Sequence, residues 1–309
     1  MNVPQLRTIL HVAELGSLSK AADRLRIAQP ALSRQVRLLE EELGIRLFER
    51  HGRGMVVTEA GTEVLRHASR IMVELEEIRA TVADENAPLR GQVSVGMPPT
   101  VSDILSVPLV SAFQARHPEA KIRLVSAYSG YLMDWLHRGE VDVVIMYETR
   151  PLRSLRMEPL LEEVLYLIGA PGSDLSPETP LAFAELAARK LFLPSLGHGL
   201  RTIIEDCAAS AGISLDVRVE ADSYSTLKAL VEGGHGYTIL PLAPIHRDLT
   251  EGRLTFAPLT PAPTRRLMLT FPTDRQTPRL ARFAAQVLAD TAADLVLSGI
   301  WAGRLLAKP

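Results

Sequence analysis

The spacing of apolar residues changes character once along the chain, at about Gly91. Before that point apolar side chains recur three and four residues apart, the spacing of one helix face. After it, short apolar runs alternate with helical stretches. The runs read as strands at 92–96, 122–126, 141–146, 164–168, 191–194, 217–221 and 237–240. Helices read at 102–116, 129–138, 200–211, 224–233 and 278–292. Alternation of this kind specifies α/β lobes with mainly parallel sheets. A length of 309 residues suits about two domains, and Asn86-Ala87-Pro88-Leu89-Arg90-Gly91 reads as the hinge between them.

Composition excludes several classes. Residues 1–58 hold nine Lys/Arg against six Asp/Glu, a charge of +3, and the chain total of -2 leaves -5 for the rest. A small basic module on an acidic body is therefore expected, rather than a basic nucleic-acid coat or an acidic disordered chain. One cysteine, Cys207, excludes an internal disulfide framework and a Cys-rich zinc site. Its place in Glu205-Asp206-Cys207-Ala208-Ala209 suits the apolar face of a helix and an inert thiol. The first residues carry no signal-peptide run, and no stretch approaches the ~18 uncharged apolar residues of a membrane span. A cytoplasmic protein with no membrane partner is expected. Phosphate-loop, dinucleotide and HExxH motifs are absent from the sequence, and no cofactor or metal is expected. Ser195 and His198 are three apart with no acid nearby in sequence, which argues against acyl transfer.

Residues 1–58 read as a winged helix-turn-helix. Leu6, Ile9, Leu10 and Ala13 mark a first helix ended by Gly16, and Ser17 or Ser19 can cap a second through Ala21, Ala22 and Leu25. A third helix opens at Gln29-Pro30, since proline suits a first turn. Leu32, Val36 and Leu39 face inward, so Gln29, Ser33, Arg34 and Arg37 share the outer face. Gln suits an adenine edge, Arg a guanine edge or a phosphate, and Ser a phosphate. A hairpin turning at His51-Gly52-Arg53-Gly54 follows, with Arg50 and Arg53 placed to touch DNA backbone. A packing module with ordinary surface arginines would share parts of this pattern, but not all of them together.

From Thr58 to about Asn86 there is no proline. Val64, Ala68, Ile71, Leu75, Ile78 and Val82 are spaced 4, 3, 4, 3, 4, a heptad seam that suits pairing with a second copy. A long amphipathic helix packed on its own domain would show the same stripe. In a dimer, two reading helices would meet a dyad-related double-stranded DNA site.

In α/β sheets ligands gather at the carboxyl ends of strands. The first strand leads into Pro99, Thr100, Val101 and Ser102, where a helix starts and its free N–H groups favour an anion. A second helix start lies at Ser195–Arg201, with glycines including Gly199 that allow close approach and with His198 and Arg201 as charge. Tyr128 and Ser129 open the helix after the second strand, and Tyr147 ends the third. This set suggests a small carboxylate or related anion. Each helix-start hydroxyl serves equally as a cap.

Ala21-Ala22, Gln29-Pro30-Ala31-Leu32-Ser33, Leu38-Glu40-Leu43-Gly44 and Leu47-Phe48-Arg50 resemble the DNA-binding signature of LysR-type transcriptional regulators. Thr58-Glu59-Ala60-Gly61 is similar to that family's junction into its linker helix, and Gly234-His235-Gly236 through Leu240-Pro241 to an element of its second lobe. Ala28 departs from the pattern, where a Ser or Thr cap is common. Gly91–Gly96 and Leu191–Ser195 are similar to the branch containing the nitrogen assimilation control protein. The resemblance implies residues 1–58 for DNA, 59–90 for linker and dimerisation, and 91–309 for effector binding. The last is expected as two Rossmann-like lobes of the type II periplasmic-binding kind, 91–161 with 267–298 and 162–266. It implies a cleft lined by Thr100, Ser129, Tyr147 and the 195–201 loop, a homodimer or homotetramer, RNA polymerase as a further partner, and no enzymatic activity. A sensor signalling through protein contacts, and an enzyme on a DNA anchor, are the alternatives at this point. Residues 299–309, with Ile300, Trp301, Leu305 and Leu306, stay unassigned.

Overall fold

The computed structural model describes residues 1–52, 54–82, 89–150 and 152–306, without the side chains at 73, 76, 77 and 79–82. Contacts divide the chain into two compact units, with the break between Pro88 and Leu89.

The first unit contains α1 (Val3–Leu15), α2 (Leu18–Leu25), α3 (Gln29–Leu43), a hairpin of β1 (Phe48–His51) and β2 (Gly54–Val57), and α4 (Glu59–Val82). Asn2 and Gln5 cap each other at the start of α1, satisfying two N–H groups that a helix start leaves open. Gly16 ends α1 at a left-handed φ of 58°, which glycine adopts without a Cβ clash. Ser17 caps α2, and α3 starts at Gln29 with no side-chain cap from Ala28. Leu6, Ile9, Val12, Leu32, Val36, Leu39 and Leu47 fill one core. Burial of each such side chain contributes roughly 1.5–3 kcal/mol before entropy is counted. Gly16 also accepts the Met55 N–H at 2.8 Å, which ties the hairpin to the first turn.

The expected heptad seam divides into two parts. Val64 and Ala68 pack on the unit's own core, so the intramolecular reading holds for the first three turns of α4. Ile71 and Ile78 are exposed, Leu75 is half-buried, and the Val82 side chain lies outside the described residues. Arg53 and residues 83–88, which include Asn86-Ala87-Pro88 of the hinge, lie outside them too.

The second unit runs β3 (Gly91–Met97), α5 (Pro99–Arg116), β4 (Ala120–Ser126), α6 (Ser129–Arg138), β5 (Val143–Tyr147), β6 (Leu155–Val164), β7 (Tyr166–Gly169), β8 (Leu181–Ala182), β9 (Lys190–Leu193) and α7 (Gly199–Ser210). It continues with β10 (Asp216–Glu220), α8 (Tyr224–Glu232), β11 (Thr238–Leu240), α9 (His246–Thr250), β12 (Thr255–Thr260), β13 (Thr264–Pro272), α10 (Arg279–Leu297) and β14 (Gly303–Leu305). Lobe one is a six-stranded sheet, β14-β6-β13-β5-β3-β4. Lobe two holds β11-β7-β12-β8 and the parallel pair β10-β9. Each lobe has its own apolar core.

Four differences from the sequence reading have physical causes. The sheets are mixed, because β13 pairs antiparallel with both β5 and β6. The long β6 was read only in its last residue, and β12, β13 and β14 not at all. Adjacent charges at Glu162-Glu163 and Arg265-Arg266 interrupt the alternation of β6 and β13, Pro258 interrupts β12, and β14 is only three residues long, so a period test scores them as loop. Residues 162–164 and 264–266 belong to the lobe-one sheet rather than to lobe two, since Thr264–Leu267 remain paired with Leu161–Val164. The unassigned tail joins lobe one: Trp301 is buried in its core, and β14 pairs with β6.

Candidate DNA-reading face and ligand cleft

On α3, Gln29, Pro30, Arg34 and Arg37 are exposed and Ser33 is half-exposed, while Leu32, Val36 and Leu39 are buried. The helix therefore presents polar donors outward because its apolar positions hold the opposite face inside. Ser33 and Arg37 line a surface groove with Arg50, and the groove also includes Arg46 and His51. Arg46 was not singled out in the sequence, although its place between α3 and the hairpin follows from the helix-turn-helix arrangement. Thr8 on α1 donates to Gln35 at 2.6 Å, fixing the reading helix against the first.

The second site lies between the lobes of the second unit. A narrow cavity of about 30 Å³ is lined from lobe one by Pro99, Thr100, Tyr128 and Tyr147, and from lobe two by His198, Asp222 and Tyr224, with Arg265 from the return strand β13. The lobes meet across it. The Tyr128 hydroxyl donates to the Asp222 carbonyl, and the Tyr128 ring stands edge-on to His198 with centroids 5.1 Å apart. Thr100 is in the first turn of α5, which begins at Pro99 rather than at 102. Its hydroxyl is 2.7 Å from the Tyr147 hydroxyl, and Ser129 accepts the Tyr147 N–H at 3.4 Å. Burial pushes the Tyr147 phenol up to about 12, so it stays protonated and hydrogen-bonding at neutral pH.

Other residues read from the sequence stand elsewhere. Val101 is buried in the lobe-one core, because its place in the first turn of α5 points it at the sheet. Ser102 bonds to Ser106 along its own helix at 3.1 Å. Ser195 donates to Asp222 at 2.6 Å, and Gly199 is the exposed first residue of α7. Arg201 is buried and engaged within lobe two: it donates to Glu205 at 2.6 Å, the Pro194 carbonyl at 3.0 Å and Glu220 at 3.1 Å. It braces lobe two instead of facing the cleft. His198 is not a cation there. Burial lowers its pKa, and its Nδ1 accepts the Leu200 N–H at 3.2 Å as the cap of α7. Asp222 is the acid that sequence spacing left unseen, yet Ser195 bonds to it directly and not to His198, so no nucleophile–base pair forms.

The positive charge of the cleft comes from Arg265, which the sequence reading missed. Its guanidinium lies 4.0 Å over the Tyr147 ring and donates from Nη2 to Thr100 at 3.4 Å. Its Nε donates to buried Glu163 at 2.5 Å. The two residues are 102 positions apart in sequence and direct partners in the β6–β13 register. No local pattern marks that pair. Among the described residues there is no cluster of His, Cys, Asp and Glu able to hold a metal, and no helix long and apolar enough to cross a membrane.

A winged helix-turn-helix joined to a two-lobed, cleft-bearing α/β unit defines a ligand-responsive DNA-binding protein. The chain belongs to the LysR family of transcriptional regulators: the family model for the LysR substrate binding domain matches residues 86–292, and that for the bacterial regulatory helix-turn-helix protein, lysR family, matches residues 3–62. The family consists of DNA-binding transcriptional regulators, not enzymes. The chain is 32% identical over 300 residues to the HTH-type transcriptional regulator BbuR of Bordetella bronchiseptica, covering 96% of this chain and 92% of that one. It is 34% identical over 245 residues to the nitrogen assimilation regulatory protein nac of Klebsiella aerogenes, covering 78% of each. Among solved structures, the Corynebacterium glutamicum OxyR C206 mutant aligns over 96% of this chain and 95% of that one, with a TM-score of 0.70 and 26% identity.

Proposed function

We propose that a small anion, a carboxylate or close analogue, binds in the inter-lobe cleft and thereby sets how this regulator occupies its promoter DNA. The observation that carries this reading is a buried guanidinium, Arg265, in the wall of an apolar cleft beside the Thr100 hydroxyl. A cation so placed attracts an anion more strongly than one in water. DNA would be held by Gln29, Pro30, Ser33, Arg34, Arg37, Arg50 and Arg53, in a homodimer or homotetramer joined through the exposed part of the α4 seam. The protein would act in the cytoplasm, with RNA polymerase as a partner at the promoter. The effector shifts the lobe arrangement only by its differential affinity for the two states.

The test is footprinting of the full chain on the DNA upstream of its own gene across a salt series, then again with small carboxylates added. A protected dyad-related site whose affinity falls with salt is expected. A carboxylate that moves the footprint supports the anionic effector, and neutral amides with the same effect would refute it.

A further inference from the structure

Glu163 is the counter-charge of Arg265, and it is shared. One carboxylate oxygen, Oε1, takes the Arg265 Nε–H at 2.5 Å. The other, Oε2, takes the indole N–H of Trp301 at 3.0 Å, in a buried contact. Trp301 stands just after α10 in the tail, where the chain turns back and adds β14 to the edge of β6. Its backbone N–H is held by the Leu295 carbonyl at 2.9 Å, and beyond it Gly303 lies opposite Glu163 in the strand register. A Cβ on Gly303 would stand 2.8 Å from the Glu162 carbonyl, so the tail is seated closely at this point. Glu163, Arg265 and Trp301 are all buried, at 1%, 5% and 1% exposure.

An arginine beside a carboxylate ordinarily closes a two-pronged pair, with two N–H groups on two oxygens. Here the Arg265 bond to Glu163 is single, because the second oxygen is engaged by Trp301. The Nη side of the guanidinium is thereby kept for Thr100 and the cleft. We propose that Trp301 is a positioning residue for effector recognition: its N–H holds Glu163 Oε2 away from Arg265, so the C-terminal segment keeps the Nη edge of Arg265 turned to an anion in the cleft. This rests on the anionic-effector reading above for its ligand, but not for its geometry.

With the indole N–H removed, buried Glu163 Oε2 has no partner among the described residues, and an unpaired buried oxygen is costly. The nearest remedy is a second N–H from Arg265, which closes the pair and withdraws donors from the cleft.

The test uses the full chain and Trp301→Phe, which keeps an aromatic ring without the N–H. A second version places the benzothienyl analogue of tryptophan at 301, with sulfur where the N–H was, and guards against a packing defect. Two readouts are taken. Crystal structures without ligand should show both Glu163 oxygens on Arg265 in each variant; a single bond unchanged from the parent overturns the proposal. Calorimetry with benzoate as anionic probe and benzamide as neutral control should show benzoate affinity lowered by roughly tenfold or more, the scale of one charge-assisted hydrogen bond. Benzamide should be unaffected. Equal benzoate affinity in parent and variants also overturns the proposal, while leaving the anionic-effector reading intact. If the parent binds neither compound, that counts against the effector reading as probed, and the crystal structures alone decide the role of Trp301.

Discussion

Arg34 and Arg37 stand exposed on α3, and Arg37 touches Glu41 only four residues on, at 3.4 Å. Arg265 is buried, paired with Glu163 on another strand and stacked over Tyr147. The same residue type serves two units under opposite constraints. On α3 the guanidinium is exposed to solvent and costs the fold little. In the cleft it is desolvated, so the fold must supply a counter-charge before a ligand arrives. A surface arginine can therefore be changed without structural consequence, whereas Arg265 is part of the architecture of its lobe.

The largest expected effect tests this contrast directly. Arg265→Met leaves Glu163 buried without its cation, and the second unit should lose about 3–5 kcal/mol, read by urea unfolding. The paired change Arg34→Ala, Arg37→Ala should leave that unfolding curve in place. Its effect belongs on DNA: affinity should fall by about 2–4 kcal/mol, with a shallower salt slope, in footprint titrations. If Arg265→Met unfolds no more easily than the double variant, the contrast between the two arginine environments fails.

Smaller effects sharpen the comparison. Ile78→Ser on the exposed part of α4 should weaken self-association by about 1–2 kcal/mol, seen by sedimentation, while Ala68→Ser should act on stability of the first unit instead. The raised Tyr147 pKa gives a pH window. The unfolded phenol loses its proton near 10 and the folded one at about 12, so stability is full below pH 10 and declines between 10 and 12. Tyr147→Phe should flatten that decline in unfolding curves taken from pH 9 to 11.5. Cys207→Ser should do least. The thiol is half-buried, burial raises its pKa, and the chain holds no second cysteine to pair with it. A change under about 1 kcal/mol is expected, with DNA binding unaltered by mild oxidant.

Legibility differed between the two units for a reason visible in particular residues. The reading helix was legible because Leu32, Val36 and Leu39 set its phase, and the phase alone puts Gln29, Ser33, Arg34 and Arg37 outside. The cleft was legible only where it coincides with an element start: Pro99, Thr100, Tyr128 and Tyr147 sit at strand or helix ends. Arg201 and His198 were misread as cleft charges because spacing cannot say whether Glu205, Glu220 or a helix N–H already occupies them. The seam of α4 was half legible, since a heptad stripe does not name the surface it covers.

Local sequence by itself determined the helices of the first unit, the Ser17 cap of the second, the outward polar face of α3, and the alternation that makes the second unit α/β. Those features depend on side chains within about one or two turns of each other. Tertiary structure alone decided that Arg265 meets Glu163, that Trp301 shares the same carboxylate, and that Ser195 meets Asp222. Each of these depends on strand register or on a return of the chain, which joins residues 27 to 138 positions apart. Whether a buried charge is compensated is a property of that register, because desolvation and pairing act over a few ångströms in space, regardless of distance along the chain.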